Sequence, residues 1–236
     1  MRVLLVAHTT LYKDIPDYLS DPGWSHLPKD ADELAEQAGR LCYLSWDRPN
    51  PKTATNKGYL ENIINQGHFS VLEHASATFY IDGVSRNFTH ELIRHRHLSF
   101  SEVSQRYVDV GEFNMAWHPD LLEDIDEAGM AQEHIVKNLL SARSLYRSLV
   151  DALTKSGKKR KEARQAARHV LPSGLETKIL VTGNMRAWRD VLYKRLAKDP
   201  RTGEYVADKE FVDVAREILQ NLKKIAPNTF QDFEED

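Results

Sequence analysis

The stretch Ala75-Ser76-Ala77-Thr78-Phe79-Tyr80-Ile81-Asp82-Gly83-Val84 changes its hydrophobic period part-way along. Ala77, Phe79 and Ile81 fall on one side and Ser76, Thr78 and Tyr80 on the other, the period of two that a half-buried strand requires. Gly83 is expected to break the strand, after which Val84, Phe88 and Leu92 recur at helical spacing. Outward from this stretch the N-terminal residues 2–8 read as a buried strand. Asp30 with Glu33 resembles a capping box that opens a helix through about Leu44. Residues 47–57, rich in Pro, Asn and Lys, read as a loop, and Tyr59, Leu60, Ile63 and Ile64 form a helical stripe that Gly67 can end in a left-handed turn.

Towards the C-terminus, Leu121 to Leu153 is expected to be a long helical stretch with a candidate break at Gly129, followed by a basic helical stretch from Lys158 to Val170. Pro172-Ser173-Gly174 is a turn, Glu176 to Thr182 a strand, and Asn184 the start of another helix. Phe211, Ala215, Ile218, Leu222 and Ile225 mark a final amphipathic helix. Helices dominate and the strands do not alternate regularly with them, which is the pattern of an α+β fold and not of a doubly wound α/β one. A chain of 236 residues is one ordinary domain, residues 1–236.

Acidic residues number 35 against 32 basic ones, so the chain lacks the basic excess of a broad nucleic-acid surface, and any basic site must be local. The one cysteine, Cys42, cannot form an intramolecular disulfide, which fits a reducing compartment. The apolar N-terminus is short and runs into His8-Thr9-Thr10 without a small-residue cleavage pattern, so it reads as a strand and not as a signal peptide. No apolar run approaches bilayer-spanning length. The expected location is the cytoplasm, with neither a membrane nor a nucleic acid as partner. Neither G-x-G-x-x-G nor G-x-x-x-x-G-K-[ST] occurs, so the standard dinucleotide and P-loop cradles are absent.

The chemistry concentrates in residues 94–107, which hold three arginines, two histidines, three serines and one glutamate. Arginines pair bidentately with phosphates and carbonyl edges, Ser and Gln reach a ribose or base edge, and cations this close repel one another unless an anion sits among them. A solvated loop is the plain alternative; the mix of side chains with a single acid favours a ligand site. Upstream, Gly67-His68-Phe69-Ser70-Val71-Leu72-Glu73-His74 invites a metal reading, but the spacing matches neither His-Glu-x-x-His nor a cysteine-based zinc site, and no metal is expected. Glu73 and His74 could equally cap and fix their loop. Downstream, Lys158-Lys159-Arg160-Lys161 reads as a solvated helix face. Arg168 stands where a helix must stop before Pro172, and Asn184 and Arg186 stand at a helix start, where exposed N–H groups favour anions.

Arg94-His95-Arg96, seven residues and then Ser104 resembles the signature of the flavin-dependent thymidylate synthases, the ThyX family. His68-x-Ser70-x-x-Glu73-His74 resembles that family's upstream flavin motif, Arg168-x-Val170-Leu171-Pro172 its downstream arginine-before-proline segment, and Asn184-x-Arg186 with Arg195 its C-terminal segment. The four motifs stand in order across roughly residues 40–196. The resemblance implies a small, mostly antiparallel sheet flanked by several helices. It implies that Ser70, Arg94, His95, Arg96, Glu102, Asn184, Arg186 and Asp190 hold FAD. It also implies that Glu91, Arg94, Glu102, Ser104, Gln105, Arg106, Arg168 and Arg195 bind dUMP, with Arg195 against the uracil as the catalytic group. Methylenetetrahydrofolate as carbon donor, NADPH as reductant and a homotetramer with shared sites follow from the same resemblance. Two positions depart from the pattern. Glu91 stands where many members carry Gln, and Leu196 to Glu204, with Pro200 and Gly203, predicts a loop where an Arg-Ala and a histidine are usual.

Cys42, within Leu41-Cys42-Tyr43-Leu44, reads as a buried small hydrophobe and not as a nucleophile. Ser104 has no base or orienting acid beside it in sequence and reads as a dUMP ligand. Hydride transfer to an electrostatically activated uracil, without an enzyme nucleophile, is therefore the expected chemistry. Three other readings exist. One is an RNA-binding module using Phe100 and Tyr107 as stacking platforms. Another is a metal-dependent hydrolase using His68, His74, His95 and His97, and the third is a flavoprotein of different chemistry.

Overall fold

The computed structural model describes residues 1–12, 30–46, 50–122 and 128–234. Among them four strands and seven α-helices follow one another as β1 (Arg2–His8), α1 (Asp30–Tyr43), α2 (Asn56–Asn65), β2 (Ser76–Ser85), α3 (Arg86–Leu92), β3 (Ser99–Glu102), α4 (Ala128–Lys155), α5 (Arg160–Ala167), β4 (Glu176–Asn184), α6 (Met185–Arg195) and α7 (Lys209–Ile225). The strands form one sheet in the order β1-β2-β4-β3. It is antiparallel: Thr9 bonds to Ser76 and Arg2 to Asp82, while Met185 N donates to Ala75 O and Arg86 N to Leu175 O. The fold is α+β, as the periodicity requires.

The chain forms two compact units. One comprises Met1–Arg2, Ile81–Arg94 and Phe100–Leu180; the other comprises Val3–Tyr80, His95–Ser99 and Val181–Asp236. The first unit closes over Val110, Leu139, Tyr146, Ala167 and Leu175, with Phe113, Leu149, Val150 and Leu171 packed on them. In the second unit Trp188 of α6 is fully buried, meets Phe79 edge-on at 5.1 Å and donates its indole N–H to Ala77 O at 3.1 Å. The α7 stripe Phe211, Ala215, Ile218 and Leu222 is buried throughout.

Several sequence expectations are corrected. Strand β1 is mostly exposed, because it lies at the sheet edge: Val3 alone is buried, while Leu4 and Val6 are 42% and 51% exposed. Gly83 does not end β2, which runs on to Ser85; the glycine takes φ 67°, a conformation open to it without a Cβ, and Val84 is a strand residue. The helix begins instead at Arg86, capped by the Ser85 hydroxyl accepting from Phe88 N. Strand β3 was not expected; its residues Ser99 to Glu102 lie inside the polar cluster. Helix α4 runs unbroken from Ala128 through Gly129 to Lys155, and residues 123–127 of the expected helical stretch lie outside the described residues. Residues 47–49 of the expected loop also lie outside them; its remainder contains a 3-10 turn at Pro51–Thr53 and the first residues of α2. Cys42 is exposed together with Leu41, Tyr43 and Leu44, because the C-terminal end of α1 is not packed into the core.

Other expectations hold as stated. Gly67 takes φ 69° after α2, Asn184 caps α6 by accepting from Ala187 N at 2.8 Å, and Gly203 lies in a loop whose ends meet at a Lys198–Tyr205 bridge. In the second unit the fully buried Asp32 of α1 is the acceptor that fixes the chain beyond α7. Its carboxylate takes Asn228 N at 2.8 Å, Thr229 N at 2.9 Å and the Thr229 hydroxyl at 2.6 Å. Burial pushes its carboxyl above the ordinary carboxylate value, against the pull of those hydrogen bonds. Removing the acceptor strands buried donors, so Asp32→Ala is expected to cost about 3 kcal/mol of unfolding free energy, read from a denaturant midpoint at unchanged m-value.

Candidate active site

In the first unit Glu102, at the end of β3, is held from three sides. Its Oε1 accepts from Thr89 Oγ1 at 3.1 Å and Thr177 Oγ1 at 3.0 Å, and Arg86 Nη1 stands 3.0 Å away. The carboxylate is thus fixed by α3 and β4 while remaining partly accessible. The chain then turns: Tyr107 N and Val108 N both donate to Ser104 O, and the Ser104 hydroxyl accepts from Arg106 N at 3.4 Å. Gln105 is 8% exposed, and its amide makes no hydrogen bond among the described residues. The Arg106 guanidinium lies 6.0 Å from the Tyr107 ring, and its Nε is buried without a hydrogen-bond partner.

Helix α5 braces this turn. Arg164 donates to Tyr107 O at 2.6 Å and to Asp109 at 3.0 Å. The Lys161 ammonium lies 4.6 Å from the Tyr107 ring centre, and its hydrogen bond holds the Tyr107 hydroxyl below the ordinary value. Arg168 caps the end of α5, as its place before Pro172 suggested. Glu91 lies half-buried on α3, and Arg94 N donates to its carbonyl. Arg94, Arg106 and Arg168 have no acidic partner among the described residues, whereas Arg86, Arg147 and Arg164 of the same unit are paired. Three uncompensated guanidiniums are chemistry suited to an anion.

In the second unit His95 and Arg195 meet directly. The Arg195 Nε–H donates to His95 Nε2 at 3.1 Å, and the guanidinium stacks over Phe211 at 4.2 Å. Phe211 also meets the His95 ring edge-on at 5.9 Å. On the other side, His95 Nδ1 faces Asp190 at 3.7 Å, and Asp190 takes the Lys194 ammonium at 2.8 Å. Nε2 must be an acceptor here, so the ring is neutral with its proton on Nδ1. Burial, and next the Arg195 charge, hold the imidazole below its ordinary value, while Asp190 pulls the other way. Arg186 pairs with Glu73 at 2.5 Å, joining α6 to the 3-10 turn Phe69–Glu73 that carries exposed Ser70. The Glu73 side chain therefore does fix its loop. Arg96 is exposed, with no ion pair among the described residues.

Of the residues read from the sequence, Glu91, Arg94, Glu102, Ser104, Gln105, Arg106 and Arg168 fall in the first unit. Ser70, His95, Arg96, Asn184, Arg186, Asp190 and Arg195 fall in the second. A family model described as thymidylate synthase complementing protein matches residues 25–228. The chain belongs to that family. Flavin-dependent thymidylate synthases of Mycobacterium bovis (strain BCG / Pasteur 1173P2) and Mycobacterium tuberculosis (strain ATCC 25177 / H37Ra) are each 45% identical to it over 244 aligned positions, covering 99% of this chain and 90% of their own. The enzyme of that name from Mycobacterium avium is 44% identical with the same coverage. The crystal structure of a UMP/dUMP methylase, PolB from Streptomyces cacaoi bound with 5-Br dUMP, covers 98% of this chain and 93% of its own at a TM-score of 0.68. At 21% identity, that likeness speaks for the fold.

Sequence reading missed the residues that hold the family motifs in place. Arg86, Thr89 and Thr177 around Glu102, and Phe211 beneath Arg195, carry no local signal because their partners are distant in the chain. No group of three or more His, Cys, Asp or Glu among the described residues is arranged to hold a metal ion. A cavity of about 430 Å³ in the second unit, walled by Leu192, Tyr193, Leu196, Leu219 and Phe233, contains none of the motif residues.

The His95 geometry sets a pH dependence. As pH falls below about 6.5 the unfolded imidazole takes up a proton while the folded ring stays neutral. Its stability contribution is therefore fully present above that value and is lost as pH falls through the lowered folded value. Urea midpoints measured from pH 7.5 to 5 should fall more steeply in the wild type than in His95→Gln.

Proposed function

We propose that this chain is a flavin-dependent thymidylate synthase that converts dUMP to dTMP. On this reading dUMP loses its C5 hydrogen as a proton, gains a one-carbon unit from 5,10-methylenetetrahydrofolate and is completed by a hydride, with NADPH as the ultimate reductant. What carries the reading is that Arg94, Arg106 and Arg168 have no acidic partner and the Gln105 amide no hydrogen bond among the described residues, in a chain 45% identical to enzymes of that name. A nucleoside monophosphate offers the matching groups, namely a dianionic phosphate for the arginines and a pyrimidine edge for an amide.

The roles follow the motifs. Arg94, Ser104, Gln105, Arg106 and Arg168 bind dUMP, Glu91 flanks the pocket, and Glu102 stands between nucleotide and flavin. Ser70, Arg94, His95, Arg96, Asn184, Arg186 and Asp190 hold FAD. The donor set fits a flavin dinucleotide: Arg96 has no ion pair among the described residues, Arg186 is half exposed, and Asn184 caps the helix that carries Arg186. Bound FAD supplies the hydride. Arg195 is the catalytic residue, lying against uracil and stabilising the negative charge that the ring develops as C5 reacts. A neutral His95 accepts from it, and Phe211 backs it, so its charge is oriented before the reaction. The chain works as one domain, in a homotetramer with shared sites, in the cytoplasm.

The test is tritium release from dUMP labelled at C5 of uracil, with FAD, NADPH and methylenetetrahydrofolate each omitted in turn. Release that needs all three is expected. Arg195→Ala should lower it by about a hundredfold or more, and Cys42→Ala should leave it unchanged. An inactive but folded Cys42→Ala protein would overturn the scheme without a nucleophile, and a folded, flavin-loaded wild type that releases no tritium would overturn the reaction.

A further inference from the structure

Arg189 on α6 is absent from every motif, yet it is buried and engaged on all sides. It grips Asp232 bidentately, with both N–O distances 2.7 Å, and donates to Thr229 O at 2.5 Å. Its guanidinium lies 5.5 Å from the Phe69 ring and 5.0 Å from the Phe233 ring. Phe69 is the residue before Ser70, in the 3-10 turn that Glu73 ties to Arg186. One side chain thus joins three segments of the second unit: the turn carrying Ser70, the helix carrying Arg186, Asp190 and Arg195, and the chain end Thr229–Phe233.

Asp232 is 41% exposed as a side chain while Arg189 is only 10% exposed. The acid therefore comes from the surface to neutralise a cation that the fold buries. A planar guanidinium with two carboxylate bonds and two aromatic faces has little freedom left, so it fixes distance and angle between the segments that it touches. A single backbone hydrogen bond would fix much less.

We propose that Arg189 and Asp232 form a positioning pair that sets the spacing between the Ser70 turn and helix α6, and through them the flavin site. The proposal rests on the flavin assignment of those segments given above. The pair itself touches neither nucleotide nor flavin. Asp232→Asn keeps the shape and removes the charge, and Arg189→Lys keeps the charge and removes the fork.

The experiment measures FAD affinity by flavin fluorescence, and the near-UV and visible circular dichroism of bound FAD, in the full chain well below its melting temperature. The wild type, Asp232→Asn, Arg189→Lys and Asp232→Glu are compared with Leu222→Ala, a buried core variant in α7 that lies outside the three segments and lowers the melting temperature. Asp232→Asn and Arg189→Lys are expected to bind FAD at least tenfold more weakly, with an altered dichroism of the FAD that still binds. Asp232→Glu should recover most of the affinity, and Leu222→Ala should bind as the wild type does. Wild-type affinity in both pair variants overturns the proposal, as does an equal loss in Leu222→Ala. A wild type that binds no FAD overturns the flavin assignment instead.

Discussion

A carboxylate taken out of water must be given donors, and the second unit is organised around one that is. Asp32 has no exposed surface and accepts three hydrogen bonds from residues 228 and 229. That contact closes nearly the full length of the described chain, from the first turn of α1 to the segment beyond α7. The same segment continues to Asp232, which neutralises Arg189 on α6. Since α6 also bears Arg186, Asp190 and Arg195, the groups proposed to meet flavin and uracil stand on a helix that this segment holds in place. Its rigidity is thus bought by buried polar contacts as much as by Trp188 in the core.

The two kinds of arginine in the molecule divide the labour. Those at structural positions, such as Arg86, Arg164 and Arg189, have acids within hydrogen-bond reach. Those in the polar cluster of residues 94–107, Arg94, Arg96 and Arg106, have none among the described residues. An uncompensated guanidinium raises the energy of a protein that has nothing bound and lowers it on binding an anion, which is why these arginines support the proposed nucleotide and flavin sites. Arg195 is held in a further way: a neutral imidazole accepts from its Nε–H, and a phenyl face lies against its guanidinium.

The α+β class and most elements were legible because they depend on local rules. The period of two in β2, the Asn184 cap of α6 and the stripe of α7 all read directly. What failed depended on tertiary setting. Strand β3 exists because Ser99 to Glu102 pair with β4, not because those residues prefer a strand. Gly83 read as a breaker but fits within β2 through its positive φ, and the apolar neighbours of Cys42 suggested a core where there is surface. Within the site, the motif residues were visible and their supports were not. Thr177 lies 75 residues from Glu102, Arg195 100 from His95 and Glu73 113 from Arg186, separations that no local pattern encodes.

The exposed position of Cys42 has a practical side. The chain has a single thiol, at the surface on the last turn of α1. A maleimide dye or spin label would therefore attach at one defined point, away from every motif residue in sequence, without mutagenesis to remove competing thiols. Under air the same thiol offers one covalent link between two chains and no more, so oxidised preparations would run as a discrete doublet on a non-reducing gel and not as a ladder.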